Sequence, residues 1–95
     1  MDIAGFQRTI RQTYGERDLS RGVPRTFAWF VEEVGELSRA VFREDHEERR
    51  HEFADVFAWL VSLADQLDVD LDDAVESRYG AGCPRCGHVP CACPG

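Results

Sequence analysis

Apolar residues recur along this chain at steps of three and four, the spacing that stacks side chains on one face of an α-helix. Ile3, Phe6, Ile10 and Tyr14 make the first stripe, and Asp2 stands where an N-cap would accept a backbone N–H. From Gly15 to Val23 two glycines, a serine and four charged residues interrupt the pattern and predict a loop. Pro24 suits the first turn of a second helix, whose stripe is Phe27, Phe30, Val34, Leu37 and Val41. The register fades at Arg43-Glu44-Asp45. Asp45 followed by Glu48 then resembles a capping box for a third helix, with Phe53, Val56, Phe57, Leu60, Leu63, Ala64 and Leu67 as its core face. Asp70 and Asp73 repeat that start signal for a short fourth helix, which Gly80 ends. The pattern therefore predicts an all-α body over 1–80 and a Gly-, Pro- and Cys-rich tail over 81–95. Short connections make successive helices antiparallel neighbours in a four-helix bundle.

A 95-residue chain buries only a modest share of its surface, so dimerisation is expected to complete the core. Hydrophobic residues are 43% of the chain, too many for a disordered segment. The apolar runs are too short and too charged to span a membrane. Met1–Gly5 lacks the basic start and apolar stretch of a secretory signal, so a cytoplasmic location is expected. A net charge of −7 argues against binding nucleic-acid backbone or anionic lipid, both of which need a basic face. It leaves room for a nucleotide, because clustered carboxylates hold a divalent cation and the cation holds phosphates.

Such a cluster is present. The second helix carries Glu32, Glu33 and Glu36, and the third carries Glu52 and Asp55. Residues three or four apart share a helix face, so Glu33 and Glu36 project together, as do Glu52 and Asp55. In an antiparallel hairpin, residues at one level share a constant index sum. Glu36 with Glu52 and Glu33 with Asp55 both give 88, which puts the pivot at residue 44, in the expected turn. Four carboxylates thus face one another at two adjacent levels. Bare, they would repel and raise one another's pKa. All-oxygen ligation suits Mg²⁺ or Mn²⁺. A di-iron bundle would instead offer Glu-x-x-His pairs, and neither helix has one in the right place. The competing reading is a set of solvated helix faces, since 31% of the chain is charged.

The run Glu32-Glu33-Val34-Gly35-Glu36, followed by Glu52-Phe53-Ala54-Asp55, resembles the EExxE…ExxD signature of MazG-type nucleotide pyrophosphohydrolases. The resemblance spans Thr26 to Tyr79. It implies an all-α, Mg²⁺-dependent enzyme that hydrolyses a nucleoside triphosphate to monophosphate and pyrophosphate, assembled as a dimer or tetramer. By the same resemblance Glu33, Glu36, Glu52 and Asp55 are metal ligands. Glu32 is a further ligand or the base that activates water. The role would be housekeeping of the nucleotide pool or a biosynthetic pyrophosphohydrolysis. The alternative is a binding or regulatory protein that keeps the bundle without catalysis. The filling of all five acidic positions favours the enzyme.

Other residues extend the index rule. Trp29 and Trp59 share the sum of 88 and lie one turn beyond the acids, where two indoles could sandwich a nucleobase or simply pack a core. At the opposite end Arg39, Arg43 and Arg49 offer cations to phosphate oxygens, or pair with Glu36, Glu47 or Glu48. Arg78 resembles a basic position near the end of the family's last helix. Arg17, Arg21 and Gly22 fall in the expected loop, as a lid or a plain connection. His46 and His51 read as surface residues. No serine or cysteine nucleophile motif and no P-loop is present.

All four cysteines, Cys83, Cys86, Cys91 and Cys93, fall in the tail in the order C-x2-C-x4-C-x-C. Cys-x2-Cys followed by glycine is the form of a zinc knuckle. The short central loop would strain a compact site, so His88 replacing a cysteine, or ligands from two chains, stay open. So do a redox pair, a disordered tail and a docking module. The tail also departs from the pattern of the family.

Overall fold

In the computed structural model, which describes residues 1–95, four helices follow one another with no strand: α1 (Ile3–Arg21), α2 (Val23–Val41), α3 (His46–Gln66) and α4 (Leu71–Tyr79). The three aspartates act as N-caps, although Glu48 pairs with Arg43 and does not close a capping box with Asp45. The Asp2 carboxylate accepts from the Gly5 N–H, Asp45 from Glu47 and Glu48, and Asp70 from Asp73, each satisfying N–H groups that the first helical turn leaves unpaired. Pro24 lies in the first turn of α2. Gly80 follows α4 in a right-handed conformation, its N–H donating to the Glu76 carbonyl.

The expected loop over 15–23 is a correction. α1 runs unbroken through Gly15 to Arg21, and Gly22 alone joins it to α2. Glycine inside a helix costs about 1 kcal/mol and does not by itself end it. Gly22 has φ +84°, a conformation that suits a residue without Cβ, and it reverses the chain in one step.

α2 and α3 form the main hairpin, α1 packs on α3 and also touches α2, and α4 rests on α1. Ile10, Ala40, Val61 and Ala64 are the buried apolar residues. Polar hubs join the helices around them. Gln7 donates to the Val69 carbonyl at 2.8 Å and accepts from the Leu71 N–H at 3.0 Å, fixing the α3–α4 turn against α1. Gln66 donates to the Thr26 hydroxyl, which in turn donates to the Gly22 carbonyl. Arg11 reaches Asp65 across α1 and α3.

The apolar stripes do not all become core. Phe27, Val34 and Val41 on α2, Phe53, Phe57 and Leu60 on α3, and Leu67 just past its end are exposed. Phe57, though partly exposed, stacks on Phe6 of α1 with ring centroids 5.4 Å apart. No helix is long and apolar enough to cross a membrane.

Candidate active site

The two helices of the hairpin bring three of the four expected acids together, and the fourth, Asp55, stands apart from them. Glu33, Glu36 and Glu52 each place a carboxylate oxygen within 4.8 Å of the others. Oxygens sharing one Mg²⁺ at its usual bond length lie about 3 to 4.2 Å apart, so little movement would close such a shell. Glu33 Oε2 and Glu52 Oε2 are both buried without a hydrogen-bond partner. Buried acceptors are rarely left so, and a cation satisfies both at once. Burial, and then the neighbouring charges of Glu36, Asp55 and Glu52, raise the Glu33 carboxyl above the usual carboxylate range. The residues present therefore fit a hard divalent cation.

Asp55 lies one turn along α3. It stands close enough to push Glu33 upward, yet its oxygens lie outside the tight trio. His51 Nε2 approaches Asp55 Oδ2 at 3.4 Å, one turn back on the same helix. Glu32 is exposed beside the trio rather than within it.

Asp55 also lines a cleft of about 300 Å³ with Tyr14, Arg17, Arg21, Trp29 and Trp59. That volume is at the small end of ligand sites. Trp29 and Trp59 do meet, with ring centroids 5.5 Å apart, as their shared level requires. Their planes stand at 79°, edge to face, so no flat group fits between parallel indoles. Arg21 covers both rings, its guanidinium 5.1 Å from one centroid and 4.9 Å from the other. The same group pairs with buried Asp18 at 2.9 Å and reaches the Thr26 hydroxyl. Trp29 is 44% exposed, more than core packing alone would leave.

Arg17, Asp18 and Arg21 thus belong to the cleft, although their stretch of sequence reads as a loop. One signal was available. The first stripe, Ile3, Phe6, Ile10 and Tyr14, continues at steps of three and four through Arg17, Asp18 and Arg21. Polar residues on an apolar stripe mark a functional or buried-pair face as readily as a helix end.

The arginines at the far end take other partners. Arg43 pairs with Glu48 at 2.7 Å on the surface, and Arg49 donates to the Ala40 carbonyl at the end of α2. Arg39 is exposed and pairs with none of Glu36, Glu47 and Glu48. Arg78 lies in the exposed last turn of α4, on the helix that packs against α1. A larger polar groove of about 800 Å³, lined by Arg8, Arg11, Asp65 and Asp68 among others, contains none of the five signature acids.

In the tail the four sulfurs lie within 4.8 Å of one another, all from one chain and without a ring nitrogen of His88. The Cys83–Cys93 and Cys91–Cys83 sulfur distances are 3.7 and 3.6 Å, and all four cysteines are free. Backbone N–H groups of Ala92 and His88 draw the Cys86 thiol down to about 6, while sharing protons with Cys91, Cys83 and Cys86 pushes Cys93 up to about 11.

The profile of the MazG nucleotide pyrophosphohydrolase domain matches residues 22–80, from the glycine hinge through α4. No curated protein matches the chain.

Proposed function

Because the chain belongs to the MazG nucleotide pyrophosphohydrolase domain family, we propose that it hydrolyses a nucleoside triphosphate to its monophosphate and pyrophosphate with Mg²⁺ or Mn²⁺. The observation that carries this reading is the pair of buried, unpartnered oxygens of Glu33 and Glu52 in one carboxylate cluster beside an aromatic cleft.

Glu33, Glu36, Glu52 and Asp55 would hold the cation. When bound, it supplies positive charge against the phosphate oxygens and acidifies the water beside it. The acids thereby fix that charge at the mouth of the cleft. Trp29 and Trp59 hold the base against their outer faces, with Arg21 yielding part of its place. Glu32, exposed beside the cluster, accepts the proton of the attacking water. The water oxygen bonds to the α-phosphorus as the anhydride bond to the β-phosphate breaks and pyrophosphate leaves. Arg39 and Arg43 meet the charge of the leaving group, and the surface pair of Arg43 with Glu48 costs little to exchange. Arg78 is a further candidate phosphate contact, supplied from α4 of the same or a second chain.

The exposed stripes of α2 and α3 favour a homodimer or higher assembly. A cytoplasmic, nucleotide-pool role fits this chemistry. The four cysteine sulfurs of the tail lie outside it, and their soft donors suit Zn²⁺ rather than Mg²⁺.

A panel of the common ribo- and deoxyribonucleoside triphosphates with Mg²⁺, read as pyrophosphate and monophosphate, tests the proposal. Stoichiometric release of both from at least one member is expected. Orthophosphate release, or no hydrolysis across the panel, would overturn it.

A further inference from the structure

The structure assigns a second metal site: we infer that Cys83, Cys86, Cys91 and Cys93 of one chain close around a single Zn²⁺, and that this ion holds residues 81–95 in their fold. The inference is independent of the hydrolase reading and uses none of its residues.

Geometry carries it. Zinc–thiolate bonds of about 2.3 Å in a tetrahedron place the sulfurs about 3.8 Å apart. Cys83 stands 3.7 Å from Cys93 and 3.6 Å from Cys91, and no two of the four sulfurs exceed 4.8 Å. A disulfide needs about 2.05 Å, so these are not bonded pairs. Sulfurs arranged around a two- or four-iron cluster spread wider than one ion requires, so the set fits a mononuclear centre.

The backbone is shaped to the same end. The Gly87 N–H donates to the Cys83 carbonyl at 2.7 Å and closes a turn that holds the first two ligands, with Gly87 at φ +71° just after Cys86. The Cys83 N–H returns to the His88 carbonyl at 3.2 Å. Ala92 N–H points at Cys86 Sγ at 3.3 Å, and Cys93 N–H at Cys91 Sγ at 3.4 Å. Amides aimed at sulfur stabilise thiolates, the form that binds metal.

Nothing else in the segment replaces the ion as an organiser. Residues 81–95 contain no helix or strand, and none is buried. Backbone order without an apolar core is what a structural metal supplies, since its binding energy becomes folding energy.

The full chain, purified without added metal and desalted, is analysed for metal and digested briefly with trypsin. Arg85 is exposed between the first two ligands and reports the order of the tail directly. About one zinc per chain is expected, with the bond after Arg85 resistant to trypsin. A strong zinc chelator should release the zinc and make that bond cleavable, with helical circular dichroism unchanged. The double variant Cys86→Ser, Cys91→Ser should lack zinc and be cut after Arg85 while keeping its helices. Four freely titrating thiols after equimolar zinc is added, iron in place of zinc, a disulfide in the purified chain, half an ion per chain, or Arg85 cleaved equally with and without zinc would each overturn the inference.

Discussion

At the scale of single residues, the candidate site gathers side chains whose surroundings are otherwise unfavourable. Glu33 and Glu52 each bury an oxygen with no protein partner, in the company of Glu36. The grouping of Glu33, Glu36 and Glu52 is legible in the sequence, because helix periodicity and one pivot fix which acids share a level; the burial of two oxygens and the place of Asp55 outside the trio are not. The arginines are less legible. Long flexible cations choose among several nearby partners, and Arg43 and Arg49 took a carboxylate and a backbone carbonyl within reach. The indoles fall between these cases. Their meeting followed from level, but their edge-to-face tilt and the Arg21 above them did not. Stacking of a base is worth about 1–3 kcal/mol. Trp29→Leu or Trp59→Leu is therefore expected to raise KM roughly 5- to 100-fold, more than it lowers kcat, with Mg²⁺ dependence unchanged. Steady-state kinetics and a melting curve on the same variants check this. A lower melting temperature with an unaltered KM would make both indoles purely structural.

At the scale of elements, capping chemistry marked the starts of α1, α3 and α4, because a cap is decided by a few adjacent residues. The end of α1 has no such local mark. Gly15 and Asp18 are poor helix formers, but Glu16, Arg17 and Arg21 are good ones, and the Asp18 carboxylate is buried against Arg21 one turn on, so the helix continues. The one residue that must break the helix is Gly22, at φ +84°. A Cβ there meets nothing closer than Pro24 Cδ at 3.9 Å, so the cost of Gly22→Ala is backbone strain rather than a clash. A loss of about 1–3 kcal/mol is expected, a fall of several degrees in melting temperature. Because Gly22 sets how α1 meets α2, and so where Arg21 lies over the indoles, KM should also rise in the folded fraction. Thermal unfolding with wild-type stability would contradict this account of the hinge.

At the scale of the whole molecule, the sequence pattern named the bundle but not its boundary with solvent. A stripe of apolar residues says which face of a helix is greasy and leaves open whether the same chain or another covers it. Only 8 of 95 residues are buried, while Phe27 and Phe53 are more than half exposed. A surface of this kind on so small a domain is expected to be covered by a second copy. Light scattering at micromolar concentration should give at least twice the mass of the chain, and Phe53→Glu should shift it toward the monomer. A stable monomer that is fully active would remove the need for a partner.

The central claim is that carboxylates on α2 and α3 hold the cation on which hydrolysis depends. Its most direct test is the rate of pyrophosphate release from the best triphosphate, measured with Mg²⁺, with excess EDTA, and in Glu36→Gln under saturating Mg²⁺. Activity should vanish in EDTA and return with added Mg²⁺. The variant should fall about 100-fold or more while its helical circular dichroism stays that of the parent. Full activity in excess EDTA, or an undiminished Glu36→Gln enzyme, would contradict the claim.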